Sequence, residues 1–291
     1  MDILTNYTFQ IVALGSVLLA VAAAPVGAFS VYKGQSLIGD AIGHSTFPGI
    51  ILAYMAFATR SPIILLAGAI LAGAASYALI QLAHRDKRLG LDANLAIFLS
   101  GFFGLGMALK SFIQGNPDYA GASQAGLGTY IFGQAAYMLE ADVLLIAAIS
   151  ALVLTLLLLF YKELKLFVFD AEYAEVVGLP CRLLNLLLLV MTIAVIGIGI
   201  KAVGAILISS FLIIPCVAAN QWSNNFARVL LLSSLIGALS ALVGTYISTL
   251  EQGMSTGPSI ILVASLIAFF SIVFGTKGIL GSVLKRRRTH G

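Results

Sequence analysis

Apolar residues in this chain come in long unbroken runs, without the one-in-two or three-to-four spacing that marks the half-buried elements of a soluble domain. The runs fall at Phe9–Val31, Leu37–Ala58, Ile63–Ala83, Leu91–Phe112 and Val143–Tyr161, then at Leu183–Ile200, Ala202–Ala219, Val229–Leu250 and Pro258–Phe274. A bilayer core needs about 20 apolar residues per helical crossing, and these runs match that requirement. They predict an all-α, polytopic transmembrane bundle of eight to nine segments forming one domain over residues 1–291. A shorter stretch, Thr129–Met138, is too short to cross and reads as a re-entrant or interfacial helix. Within the first run, Ile11 to Val21 is followed by Ala22, Ala23 and Ala24, as in a cleavable leader. The residues before it carry Asp2 and no Lys or Arg, so it is read as a retained span.

Composition agrees with the pattern. Hydrophobic residues make up 60% of the chain and charged residues 10%, against about 25% charged in soluble domains. The charges are also one-sided. If every long run crosses, 13 of the 16 Lys and Arg share one face, leaving Arg60, Lys110 and Lys201 on the other. The positive-inside rule makes the richer face cytoplasmic, with the amino terminus outside and the carboxyl terminus inside. One region stays open. Leu183–Ile200 and Ala202–Ala219 are parted only by Lys201, and Arg182 and Arg228 must share a side, so the stretch crosses twice or not at all. The 29 glycines lie mostly within the runs, where small residues let helices approach closely. Cys181 and Cys216 have no paired spacing and read as small core residues.

Chemistry concentrates at Asp40 and His44, near the start of the second run. Their i to i+4 spacing places both on one helix face, one turn apart. Carboxylate and imidazole together suit manganese, iron or zinc. An ionisable group at membrane depth costs at least about 2.5 kcal/mol, which makes it a functional candidate. The plainer alternative has Asp40 at the end of the span and His44 bonded to a backbone carbonyl. Two donors do not fill a coordination shell, but a two-fold dimer would bring two such pairs to one axis. Pro48, four residues after His44, is expected to kink or loosen the helix and free carbonyls there.

The polar loop 162–182 carries the other feature. Asp170 suits an N-cap, Glu172 a first turn, and Gly178 with Pro180 a stop, so a short amphipathic helix is predicted that could enter a partner's groove. There is no Gly-x-x-x-x-Gly-Lys-Ser/Thr loop, and no other Asp, Glu or His lies deep in a run. His84 and His290 sit in polar stretches. That argues against a proton- or sodium-coupled carrier and against an intramembrane metalloenzyme.

At these residues the chain resembles the permease subunits of ATP-binding-cassette importers for manganese, zinc and iron, over nearly its whole length. Gly34 to Gly49, with Gly39-Asp40-Ala41 and His44 through Pro48-Gly49, is similar to that family's Gly-Asp-Ala-x-Ser-His-x-x-x-Pro-Gly block. Phe169-Asp170 through Leu179-Pro180 resembles its coupling loop, and Val203–Pro215 and Thr256-Gly257-Pro258 look like two further blocks. The resemblance implies a vitamin-B12-importer type of fold and a transport function without enzymatic activity of its own. It implies an ion passing through Asp40 and His44, and an ATPase docking at Asp170, Glu172, Ala174, Gly178, Leu179 and Pro180. It also implies a second permease copy or a related chain, and an extracellular lipoprotein or periplasmic protein delivering the metal. Arg60 is a candidate contact for that protein, or an interfacial anchor. No permanent cofactor and no nucleic acid are expected; the divalent metal is cargo, in a bacterial plasma membrane. Gly43 departs from the family, which usually has Ser there. A chelate permease and a secondary carrier are the competing readings, separable by uptake of bare metal and by the need for an ATPase.

Overall fold

The structure, a computed structural model, describes residues 6–59, 61–84, 90–116, 119, 138–250 and 254–279, with backbone alone at 62, 115 and 201. Arg60, Asp2, Asp118, Glu251, Arg85, Lys87, Arg88, the basic cluster 285–288, His290 and all of 129–138 except Met138 lie outside the described residues.

Eleven helices and no strand occur among the described residues. They are α1 (Tyr7–Tyr32), α2 (Ile38–Phe57), α3 (Pro62–His84), α4 (Leu91–Gly115), α5 (Glu140–Leu159), α6 (Tyr161–Phe169) and α7 (Ala171–Val176). After them come α8 (Cys181–Val203), α9 (Ala205–Asn220), α10 (Phe226–Leu250) and α11 (Thr256–Phe274). Each of the nine apolar runs has its helix, with ends displaced by a few residues. Seven are long and apolar enough to cross a membrane. The other two differ for separate reasons. α9 has only 16 residues, and α2 has its hydropathy diluted by Asp40, His44, Ser45 and Thr46.

Side-chain size decides which helix is central. α1 is lined with Ala20, Ala22, Ala23, Ala24 and Ala28, all fully buried, and it packs against α5, α8, α9 and α10. A helix apolar all round belongs in the middle of a bundle. α4, with 11% of its best span buried, lies at the edge against α2 and α3. Although α1 and α2 are consecutive, they scarcely touch. α2 instead packs on α3, α4, α8 and α9.

The contacts fix which ends lie together. Tyr32 donates to Asn220 Oδ1 at 2.9 Å, and Lys277 Nζ reaches the same oxygen at 3.2 Å and the Ser223 carbonyl at 2.8 Å. Lys33 donates to Asn185 Oδ1. The end of α1, the start of α8, the end of α9 and the residues after α11 therefore share one basic end. At the opposite end Tyr7 donates to Glu140 at 2.5 Å, and Ser248 meets Thr256 at 3.2 Å. Glu140 and Asp142 lie at this end, in the first turn of α5.

These contacts also choose between the two readings of residues 183–219. α8 leaves from the basic end, and Ile200 and Ala202 share a small cavity with Asp142 at the far end. Gly204 then reverses the chain at φ 85°, a backbone region that side chains other than glycine rarely adopt. α9 runs back to Asn220 at the basic end. The stretch goes out and returns.

α2 and α3 approach more closely than any side chain allows. A Cβ on Gly49 would stand 2.1 Å from the Gly68 carbonyl oxygen, and one on Gly68 would stand 2.4 Å from that of Gly49. The obstacle in both cases is backbone, which cannot rotate aside. Gly49→Ala is expected to force the two helices apart and lower the unfolding midpoint of the detergent-solubilised protein, at a cost of about 1–3 kcal/mol. Thermal unfolding followed by tryptophan fluorescence or scanning calorimetry checks it.

Candidate metal centre

α2 is anchored on three sides. α3 presses Gly73 against Ile42 and Thr46, α4 brings Gly106 against Phe47 and Pro48, and α9 sets Leu212 against Gly39. Ala41, Ile42, Ser45, Thr46, Ile50 and Ile51 are buried by this packing. Asp40 and His44 point elsewhere: their side chains keep 31% and 18% exposure, on the face of α2 that its own chain leaves partly open. The predicted helical spacing is realised, with His44 Nε2 3.4 Å from Asp40 Oδ1.

The rim of the pair comes from distant sequence. The Ser209 hydroxyl on α9, which donates to the Ile206 carbonyl at 3.1 Å, faces the Asp40 carboxylate. Phe103 on α4 meets the His44 ring edge to face, with centroids 5.1 Å apart, and also touches Phe47. One wall is therefore a hydroxyl and the other an aromatic ring. Neither was legible from sequence, although Ser209 falls inside one of the resembling blocks.

Local hydrogen bonds keep the rest of this turn in place. Ser45 Oγ donates to the Ala41 carbonyl at 2.6 Å and stands 2.7 Å from Ser76 Oγ, while Thr46 Oγ1 donates to the Gly43 carbonyl at 2.6 Å. Pro48 lies inside α2 and has no N–H to offer the His44 carbonyl, four residues earlier. α2 continues as a helix through it. No cluster of three or more His, Cys, Asp or Glu that could hold a metal occurs among the described residues. One carboxylate, one imidazole and a hydroxyl form a partial donor set, hard to intermediate in character and without thiolate.

The loop after α5 folds as two helices where one was expected. Asp170 caps α7, accepting from the Tyr173 N–H at 2.9 Å. Gly178 ends it at φ 87°, with the Leu179 N–H bonded back to the Ala174 carbonyl at 2.9 Å. Pro180 then caps α8. Of the residues singled out, Glu172 is exposed, whereas Ala174 is fully buried within the chain's own packing. The open face instead carries Tyr173, Val176 and Val177, with Val176 82% exposed. The predicted helix contains these three residues, but its cap and stop signals do not mark which face is open.

The ABC 3 transport family matches residues 5–275. The chain belongs to that family. It is 39% identical to the zinc transport system membrane protein TroC of Treponema pallidum, over 99% of this chain and 96% of that one. It is 38% identical to the manganese transport system membrane protein MntC of Bacillus subtilis, covering 96% of this chain and 65% of the relative. Among solved structures, PsaBC from Streptococcus pneumoniae in complex with Fab superposes with a TM-score of 0.81 at 26% identity, over 94% of each chain. The chain is thus a multi-pass membrane protein of a family whose relatives are membrane components of metal transport systems.

Gly43 departs from the resembling block without any steric reason. A Cβ there meets nothing within 4 Å, so there is room beside the pair for a hydroxymethyl group. Gly43→Ser is expected to fold with an unchanged unfolding midpoint, its hydroxyl bonding a carbonyl of the preceding turn. A lowered midpoint in detergent would show that the space is needed empty.

Proposed function

We propose that this chain is the membrane-spanning subunit of an ATP-driven importer for a divalent transition-metal ion, with manganese first and zinc or iron as alternatives. The observation that carries the reading is the Asp40–His44 pair. It is a carboxylate and an imidazole on one turn of a helix otherwise sealed by apolar packing, and it faces away from the chain's own core. The names of the relatives support the metal class, and the donor chemistry supports hard or intermediate ions.

A single Asp40 gives one negative charge against two on the ion. A second permease copy related by a two-fold axis would add a second Asp40–His44 pair and balance the charge, which matters in a medium of low dielectric. The open face of the pair is where such a copy would have to approach. The ion is cargo, delivered by an extracellular binding protein and released to the cytoplasm. The basic end is the cytoplasmic one in a bacterial plasma membrane. There, Tyr173, Val176 and Val177 on α7 present an apolar surface to a separate ATP-hydrolysing subunit. Hydrolysis in that subunit shifts the bundle between outward- and inward-open states.

Two measurements test this. Asp40→Ala and His44→Ala are each expected to abolish uptake of radioactive manganese by cells carrying the complete system, with membrane abundance and co-purification of the ATPase unchanged. Uptake at the wild-type rate in either variant sinks the site. Val176→Asp should weaken co-purification of the ATPase subunit by about tenfold or more, because it buries a charge in an apolar contact. Undiminished recovery would remove α7 from the docking surface.

A further inference from the structure

Lys33 stands at the junction of four elements and carries a charge that no acid among the described residues pairs with. It is the C-cap of α1, immediately before Gly34 (φ 75°), so the backbone that holds it leads in five residues to the start of α2. Its ammonium lies 4.8 Å from the centre of the Phe167 ring on α6. It also donates to Asn185 Oδ1 on α8. The Asn185 amide in turn donates to Tyr77 OH on α3 at 2.8 Å, and Gln81 donates to the same oxygen at 2.8 Å. Every partner in this chain of contacts is neutral. Among the described residues, the one acid–base contact within 4.0 Å is His44–Asp40, and Lys33 has none.

This arrangement is costly. Burial pushes the Lys33 ammonium down to about 8, with no carboxylate to offset it. A structural anchor could use a leucine at this place and pack without penalty. The cation–π contact and the charge-assisted hydrogen bond require the charge, and they tie Phe167 to Asn185 at once.

The position of the network gives it a use. Tyr77 and Asn185 line a small cavity with Ser30, Gln35, Ile38 and Ile42. Ile38 and Ile42 belong to the turns of α2 that carry Asp40 and His44. Phe167 belongs to α6, which leads within a few residues into α7, the proposed docking helix. We infer that Lys33 is a positioning residue that links movement of the α6–α7 loop to the placement of α2. It does so through Phe167 on one side and the Asn185–Tyr77–Gln81 chain on the other. The ATPase thereby reaches the ion site without touching it. This rests on the importer reading above and adds a residue to it that makes no contact with the ion.

The test uses the complete transporter, permease with its ATPase and binding protein, in proteoliposomes loaded for manganese uptake. The quantity read is manganese transported per ATP hydrolysed. Lys33→Met keeps the length and apolar stem but removes the charge. It is expected to assemble and to hydrolyse ATP at the wild-type rate, while the transport ratio falls about tenfold, a common size for coupling between sites. Lys33→Arg should restore the ratio, since a guanidinium stacks on an aromatic ring and donates to an amide oxygen. Asn185→Leu leaves Lys33 in place and cuts the link to α3; it too should lower the ratio. A wild-type ratio in Lys33→Met overturns the inference. If Lys33→Met does not assemble, a wild-type ratio in Asn185→Leu overturns it alone. Failure of the importer reading looks different, because the wild-type complex itself would then show no ATP-dependent manganese uptake.

Discussion

A carboxylate on a helix surrounded by hydrocarbon must be compensated or it is expelled, and the packing around α2 follows from that constraint. Asp40 is met by His44 from its own helix and by Ser209 from α9. To hold those groups in register α2 has to be rigid, and rigidity here comes from glycines. Gly49 against Gly68 lets the backbones of α2 and α3 touch, and Gly106 lets α4 close over Phe47 and Pro48. Lipid provides no hydrophobic incentive for helices to associate, so this close contact replaces it. The same packing leaves the Asp40–His44 face uncovered, the one direction from which further compensation can arrive.

The spans were legible from sequence because a bilayer imposes a crude rule on every crossing helix. Nine apolar runs became nine helices. The exceptions in detail have physical causes. α2 falls short of a spanning helix in hydropathy because it carries Asp40, His44, Ser45 and Thr46, and α9 has 16 residues and joins α8 through Gly204 alone. Residues 183–219 were ambiguous since charge counting says only that Arg182 and Arg228 share a side. The bonds from Tyr32 and Lys277 to Asn220 fix where α9 ends, which no count of charges could do.

The site was legible only in part. Asp40 and His44 are four residues apart, and a helix converts that spacing into proximity without any knowledge of the fold. Ser209 and Phe103 are each more than 50 residues from the pair. Nothing local distinguishes this serine from Ser210 or this phenylalanine from Phe102. Their roles come from how α4 and α9 lean on α2. Lys33 illustrates the same limit. In the sequence it was one of thirteen charges counted for orientation, and only the contacts to Phe167 and Asn185 separate it from the others.

Those contacts belong to a larger weld at the basic end. Phe29, Tyr32, Tyr161, Phe169 and Phe226 form a chain of aromatic contacts with centroids 4.9–6.3 Å apart, joining α1, α6 and the start of α10. Interlocked rings resist shear because a tilt of one collides with the next, so α6 moves with α1 and not independently of it. α1 is the central helix, packed along its length against α5, α8, α9 and α10. A push on the loop is therefore carried into the middle of the bundle as a rigid displacement. α2 hardly touches α1, so that displacement can change its surroundings only through the α1–α2 connection and through α8 and α9. The open face of the Asp40–His44 pair lies on a helix that α1 hardly touches, which is where a two-state site is best placed.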